Sequence, residues 1–405
     1  MNRLILIGNG FDLAHGLKTS YADFIDWYWE QRVYGFCKEY TNTSKDVLCT
    51  LINNGSSWNS FAFGLPKFIN KPKAKDVIKE IFKDQLSYNV AISPFFKNII
   101  SSVETKGWVD IENEYYQLLI KYSIENPSKK NLDLLNSQLQ HLQNLLIEYL
   151  TEIEQPKTEK NNFIENIIYS AIDPQDISVA GLNHLQEHIE FWSKQPISTI
   201  EEKTAVYKLQ NHPLKEAEHF KEYLKNKKLT VNDYPQAYLL PDNIMFLNFN
   251  YTSTLHCYLK ATNIFYENHI HGDIKDPHSI IFGHGDELDE NFSKLKNIDN
   301  YECLRNIKTF RYLESSHYKK ALSFIESAPF QVFIIGHSCG SSDRTLLNTI
   351  FEHRNCISIK PYYYIKTDNT DNYTELIQNI SRNFTDMKLM RDRVVNKTFC
   401  RPITE

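Results

Sequence analysis

The amino-acid sequence predicts an α/β fold with a doubly wound, mainly parallel sheet that is interrupted by a large all-helical insertion. Short runs of branched apolar residues cluster near the two ends of the chain, which is typical of strands buried on both faces. The first run leads directly into a Gly-x-Gly turn, as a strand does before a nucleotide-binding helix. The middle of the chain instead repeats its apolar residues at helical spacing.

The opening loop is a candidate nucleotide site. The strand predicted at residues 4–7 is followed by Gly8 and Gly10, which let the backbone turn sharply and approach a ligand closely. A helix that begins near Phe11 would direct its unpaired N–H groups and its dipole at a bound diphosphate. Leu13 stands where the usual fingerprint has its third glycine, so an ordinary tight turn fits the same residues. We assign five loop residues to nucleotide binding: Gly8, Asn9, Gly10, Phe11 and Asp12.

Four further short runs are predicted to be strands: Ile244–Leu247, Ile280–Phe282, Val332–Ile335 and Tyr362–Ile365. From about residue 112 to 229 the sequence has almost no strand pattern. Leucines from Leu132 onward predict a helix that reaches Ile153 and is closed by Pro156, and 214–224 predicts another helix. The sequence therefore predicts an α/β nucleotide-binding domain made of 1–110 and 236–405, with a helical insertion at 111–235.

Composition limits the possible partners and the compartment. Lys and Arg total 45 against 50 Asp and Glu, so the 405-residue chain lacks the basic excess typical of nucleic-acid-binding proteins, although a local basic face stays compatible with such binding. Its seven cysteines include no Cys-x-x-Cys pair, which suits a reducing compartment and excludes the common structural zinc layouts. With no long apolar run and no signal pattern, we expect a cytoplasmic protein without a membrane span.

Polar segments follow several of the predicted strands, where a parallel sheet places its ligand contacts. They are Asn248–Thr252, His269–Asp273 and Gly336–Asp343. Together with the opening loop, these segments predict one site at the carboxyl edge of the sheet.

Four features occur in order along the chain: the glycines Gly8, Gly10 and Gly16, then Asn250-Tyr251, then His271-Gly272, and finally Gly336-His337-Ser338. In this order they resemble the sirtuin-like NAD-binding superfamily. The resemblance implies a sirtuin-like variant of the Rossmann fold, a nucleotide ligand, and NAD as a substrate with no other cofactor required.

A second resemblance spans nearly the whole chain. It rests on Leu6–Leu13, Tyr21–Phe24, Trp108–Glu112, Asn248–Thr252 and Gly336–Ser338. These segments resemble the AbiH family of bacterial abortive-infection proteins. The resemblance implies a role in defence against phage. We expect a phage-derived activator and a homo-oligomer among the partners. Because an enzyme that depletes NAD must be silent in healthy cells, we also expect the helical insertion to shield the site or mediate assembly.

The resemblance to sirtuin-like proteins implies the roles of individual residues. His271 would be the base and Asn250 would orient the water or the nicotinamide amide. The remaining nucleotide-binding residues would be Tyr251, Gly336, His337, Ser338 and Asp343. Thr252 stands in place of an aspartate and Asp12 in place of a serine, and the paired-cysteine zinc module is absent. Plain cleavage of NAD between nicotinamide and ribose is therefore implied rather than deacetylation.

Structural roles compete with each of these assignments. His271 also fits a structural histidine, Trp108 fits a core residue, and Asp110 fits a helix N-cap. Asn250, Ser338 and Asp343 fit the same capping role.

Three other functions fit parts of the sequence. Gly336–Gly340 matches the nucleophile elbow of α/β-hydrolases, but His353 is the only histidine that follows the serine. A metal-dependent nuclease or phosphohydrolase would use a cluster of His269, His271, Asp273, His284 and Asp286. The spacing of that cluster matches no familiar ligand set, so we assign no metal ligands. A non-catalytic nucleotide sensor that acts through a partner is the third alternative.

Overall fold

The computed structural model describes residues 1–38, 43–54, 83, 88–106, 110–154, 158–207, 235–260, 262 and 264–404. The chain divides into two compact units. Unit 1 comprises Met1–Gly16, Gln155–Ile281 and Arg311–Glu405, and unit 2 comprises Leu17–Glu154 and Phe282–Phe310.

Unit 1 contains a five-stranded sheet in which all neighbouring strands are parallel. Its strands are β1 (Asn2–Ile7), β5 (Ile244–Asn248), β6 (Phe265–His269), β7 (Phe330–Ile335) and β8 (Cys356–Tyr362). They lie in the order β6-β5-β1-β7-β8. Strands β5 and β6 lie on one side of β1 in the sheet, and β7 and β8 lie on its other side. This is the order of the first five strands of the doubly wound dinucleotide-binding sheet, and the connections diverge between β1 and β7.

Both faces of this sheet are buried. Leu4 and Leu6 pack on one face against the helix His317–Ser327 and its neighbours, whereas Ile5 and Ile7 pack on the other against the helix Asn162–Ile168. Each such side chain contributes about 1.5–3 kcal/mol when fully buried. The predicted parallel sheet with helices on both faces is therefore confirmed.

The helices of unit 1 are Asn9–Ala14, Asn162–Ile168, Leu182–Ser193, Ile197–Tyr207, His317–Ser327, Arg344–Phe351, Tyr373–Arg382 and Met387–Arg393. Those of unit 2 are Tyr21–Lys38, Pro94–Lys106, Ile111–Ile120, Lys129–Ile153 and Glu290–Lys296, with a π-helical turn at Lys121–Glu125. A short helix also spans Lys308–Arg311.

Unit 2 also holds a three-stranded antiparallel sheet that the sequence did not predict. Its strands are β2 (Thr43–Lys45), β3 (Cys49–Asn53) and β4 (Tyr88–Ile92), in that order. The strands are short, and their alternating polar residues lack the continuous apolar runs that mark the larger sheet.

Three of the predicted strands are confirmed, because residues 4–7, 244–247 and 332–335 lie in β1, β5 and β7. The strand predicted at Ile280–Phe282 is wrong, since these residues form no strand, although the Ile281 N–H donates to His271 O at 2.9 Å. The strand predicted at Tyr362–Ile365 is misplaced. Strand β8 ends at Tyr362. The sequence did not predict this strand because it contains polar residues such as Lys360, which forms an ion pair with Asp176 at 2.7 Å.

In unit 2 the predicted leucine-rich helix is confirmed as Lys129–Ile153. Asp110 caps the helix that follows it, because its side chain accepts a hydrogen bond from the Asn113 N–H at 3.0 Å. Predictions for Trp108, Pro156 and 214–224 lie outside the described residues. The domain boundaries at 110/111 and 235/236 stay a prediction. Within the described part of the chain, no helix combines the length and apolar character that a membrane crossing needs.

Candidate functional site at the carboxyl edge of the parallel sheet

The segments that follow four strands of the sheet meet at one edge. The Phe249 N–H donates to Ile7 O at 2.9 Å, and the Ile270 N–H donates to Asn248 O at 3.0 Å, so parallel pairing continues beyond the strand ends. This brings the opening loop together with the three polar segments predicted from the sequence. The site is therefore built on neighbouring strands, which hold its side chains in defined positions.

Glycines at this edge allow two loops to touch. The Gly10 N–H donates to Gly336 O at 2.8 Å, and a Cβ on Gly8 would lie 2.5 Å from His337 Cα. Gly336 has a φ of +74°, and a Cβ there would lie 2.1 Å from Phe11 N. Only glycine fits these positions. The Gly10 amide is thus bonded to the neighbouring loop, and the helix begins at Asn9, two residues before the predicted start.

Asp343 joins the two histidines of the site. His271 Nε2 lies 3.2 Å from Asp343 Oδ1, and His337 Nε2 lies 3.6 Å from Asp343 Oδ2. All three side chains are buried. A carboxylate between two imidazoles orients both rings and stabilises whichever one gains a proton.

The orientation of His337 follows from its second nitrogen. His337 Nδ1 accepts a hydrogen bond from the Cys339 N–H at 3.0 Å, so the proton of the neutral ring lies on Nε2, facing Asp343. The ring of Phe249 packs beside both histidines, with centroid distances of 5.1 Å to His271 and 4.1 Å to His337. An apolar ring next to the pair keeps water from surrounding it.

Asp343 occupies the N-cap position of the helix Arg344–Phe351 but makes no side-chain capping bond. Its carboxylate faces the histidines instead. The structure therefore does not support the side-chain capping role that competed for Asp343, and its predicted part in nucleotide binding stays a prediction.

Asn250 ties three segments together. Its Nδ2 donates to Gly8 O at 3.0 Å, its N–H donates to Asn248 Oδ1 at 3.0 Å, and its carbonyl oxygen lies 3.3 Å from His269 Nδ1. Asn250 is itself buried. These contacts give it a positioning role, and its predicted part in orienting water or nicotinamide stays a prediction.

The other predicted residues occupy varied environments. Asp12 Oδ2 accepts a hydrogen bond from the Thr252 hydroxyl at 2.6 Å, with both side chains buried. Phe11 is fully buried in the apolar cluster on one sheet face. The Tyr251 hydroxyl donates to Ile281 O at 3.3 Å. Asn9 and Ser338 are exposed.

Sequence reasoning missed Tyr312. Its hydroxyl lies 3.2 Å from His271 Nε2, and its ring stacks at 15° to the imidazole. No motif surrounds Tyr312 in the sequence, and it follows His271 by 41 residues. Only the fold brings the two side chains together.

The nucleophile-elbow alternative has no support in the geometry. His353 packs near Phe330, at the beginning of β7, whereas Ser338 follows the end of that strand. The two side chains therefore lie at opposite edges of the sheet. The left-handed backbone is at Gly336 and Cys339, not at the serine.

The histidines and aspartates of the alternative metal cluster belong to both units of the chain. His284 and Asp286 belong to unit 2, and the His284 ring stacks on Tyr116 at 3.9 Å. In unit 1, His269 instead approaches Glu267 and His256, with the three ligand atoms within 4.8 Å of one another. Neither of these two partners was predicted, although the Glu-x-His alternation on one strand was visible in the sequence.

This fold and site define an α/β protein with a doubly wound parallel sheet and a buried His-Asp-His cluster at the sheet's carboxyl edge. The family model described as bacteriophage abortive infection AbiH matches residues 4–364. The chain therefore belongs to the AbiH family, which is associated with phage abortive infection. The search of curated proteins found no significant match, and the search of solved structures found none either.

Proposed function

We propose that this protein acts in phage defence by hydrolysing NAD, or a related nucleotide, between nicotinamide and ribose. The proposed core is sirtuin-like, and the reaction takes place at the carboxyl edge of the sheet. The observation that carries the proposal is the pairing of His271 with Asp343, 3.2 Å apart, beside the point where the sheet connections diverge.

The chemistry requires few groups. When the bond between nicotinamide and ribose C1′ breaks, its electrons leave with the pyridine nitrogen, so nicotinamide departs neutral and positive charge develops on the ribose. Water then forms the new C1′–O bond and loses one proton. With its Nε2 proton donated to Asp343, His271 has its lone pair on Nδ1, which we assign as the base. Asp343 stabilises the resulting imidazolium.

The Asp12–Thr252 contact supports the comparison with sirtuin-like proteins. The resemblance expects a serine at position 12 and an aspartate at position 252. In this chain the two residue types are exchanged, and their side chains are hydrogen bonded at 2.6 Å. A carboxylate and a hydroxyl are thus paired beside the opening loop, and we take this pair to be compatible with turnover.

The proposal is tested by incubating the purified full chain with NAD and measuring released nicotinamide. His271→Ala and Asp343→Asn should each lower the rate by about 10²–10⁴-fold, the range that general acid–base groups contribute. The matched control is His184→Ala, because His184 is a half-exposed histidine beside Glu187 and far along the chain from the site. Thermal unfolding of each variant shows whether it remains folded.

Equal rates in wild type and His271→Ala would overturn the assigned base. If the protein binds NAD without turnover and cellular NAD stays steady during infection, we would conclude that it is a nucleotide sensor and not an enzyme. The phage-derived activator and the homo-oligomer are also proposals: infection would raise turnover, and sedimentation of the protein would reveal more than one chain per particle.

A further inference from the structure

Three side chains on the outer part of the sheet converge in a way that the proposed NAD chemistry does not use. Glu267 and His269 are two residues apart on β6 and so project from the same face. His256 belongs to the short 3₁₀ helix Thr254–Cys257, which follows β5. His256 Nε2 lies 3.1 Å from Glu267 Oε2, and His269 Nε2 lies 2.9 Å from Glu267 Oε1.

These separations suit a shared cation. Ligand atoms bound tetrahedrally to zinc at about 2.0–2.1 Å are about 3.3 Å from one another. The three ligand atoms of this cluster all lie within 4.8 Å of one another. A small movement of side chains is therefore enough to place them around one ion.

The second nitrogen of His269 has the partner expected of a metal ligand. His269 Nδ1 lies 3.3 Å from the carbonyl oxygen of Asn250, so this nitrogen carries a proton and donates it. In a neutral ring of this tautomer, the Nε2 lone pair would point at the Glu267 carboxylate. A lone pair and a carboxylate repel each other, so the contact needs a proton or a metal cation between them. Histidines that bind metals commonly donate their other N–H to a backbone carbonyl in this way.

We propose that His256, Glu267 and His269 bind one divalent transition-metal ion of the zinc class. Imidazole nitrogens are borderline ligands that suit zinc and its neighbours, and two histidines with one glutamate form a known zinc ligand set that leaves a fourth position for water. The exposed fraction is 43% for the His256 side chain and 10% for His269, so the cluster opens to solvent on one side. The ion would join the segment after β5 to the edge strand β6. This inference does not rest on NAD cleavage.

The test titrates the metal-free full chain with Co²⁺ and then displaces the Co²⁺ with Zn²⁺. Wild type should bind one equivalent with the visible absorption of four-coordinate Co²⁺. His256→Ala and Glu267→Gln should each weaken Co²⁺ binding at least about 100-fold. Even residues that only hydrogen bond to a metal ligand contribute about 10–100-fold to metal affinity. His184→Ala is the matched control, since His184 is also 43% exposed and also lies beside a glutamate, while the nearby His188 contacts the Met1 amino group and Asp242 instead. That control should bind as wild type does.

Wild type without the Co²⁺ absorption, or variants that bind as tightly as wild type, would overturn the site. Circular dichroism and thermal unfolding of the metal-free variants show whether each remains folded, and His256→Ala removes a side chain that is 43% exposed rather than one from the core. Metal affinity is read without NAD, so failure of the metal site and failure of the proposed hydrolysis are separate results.

Discussion

At the scale of single residues, Gly336 illustrates how backbone contact shapes the site. Its positive φ and its closeness to Phe11 N both exclude a side chain. Gly16 offers a matched comparison, because it has a similar φ of +78° with nothing within 4 Å of the position of a Cβ. Comparing alanine substitutions of Gly16 and Gly336 separates the cost of an unfavourable backbone conformation from the cost of a steric clash.

We expect Gly16→Ala to lower the free energy of unfolding by about 1–2 kcal/mol, the cost of a left-handed conformation for a residue with a side chain. Gly336→Ala should lose about 1–3 kcal/mol more, because the added methyl collides with the neighbouring backbone. Urea unfolding of both variants measures the difference. Equal losses would mean that the two loops separate at little cost.

Asp343 shows why single residues were difficult to assign from the sequence. An aspartate just before a helix is usually an N-cap. The carboxylate instead contacts two histidines that lie in other segments, so its role depends on distances that local sequence does not contain.

At the scale of elements, the turn between β2 and β3 is held by Asp46. Its Oδ1 accepts the N–H groups of Leu48 and Cys49 at 2.8 Å each, and its Oδ2 lies 3.3 Å from His141 on the helix Lys129–Ile153. Burial raises the pKa of Asp46, but the hydrogen bonds and the charge of Arg32 outweigh it and lower the pKa to about 2.

A carboxyl group whose folded pKa lies below its unfolded value stabilises the fold above the unfolded pKa. That contribution is lost as the pH falls from about 4 through about 2. For Asp46 it amounts to about 2 kcal/mol, since each pKa unit corresponds to about 1.4 kcal/mol. Asp46→Asn should therefore be less stable than wild type at pH 6, and the difference should shrink toward pH 2. Chemical unfolding at several pH values measures it, and a difference independent of pH would contradict the assigned pKa.

The strands of the sheet differ in how readily they can be predicted from the sequence. The central strands β1 and β7 each contain a run of four apolar residues, because both their faces and both their edges are covered. The outer strand β6 reads Phe-Tyr-Glu-Asn-His and is partly exposed, so it carries no such run. Strand β8 includes Lys360 and Pro361, and a proline is tolerated there because β8 has a neighbour on one side only.

At the scale of the whole molecule, a protein that consumes NAD has to be inactive in uninfected cells. We expect cellular NAD to stay constant when the wild-type protein is expressed without phage, and to fall at least several-fold after phage challenge. Cells with His271→Ala should keep their NAD and lose protection, while His184→Ala behaves as wild type. The measurement is NAD in cell extracts over the course of infection. Steady NAD in cells that are still protected would overturn NAD as the substrate.

Local sequence patterns were enough to predict the parallel sheet, its central strands, the long helix Lys129–Ile153 and the family. These features depend on apolar periodicity and short motifs, which a local stretch of chain carries in full. The positions of the edge strands, the pairing of Asp343 with His271 and the convergence of His256 with Glu267 became known only from the three-dimensional fold. Each of these joins residues far apart along the chain, and such contacts depend on how the strands order and pack rather than on any local pattern.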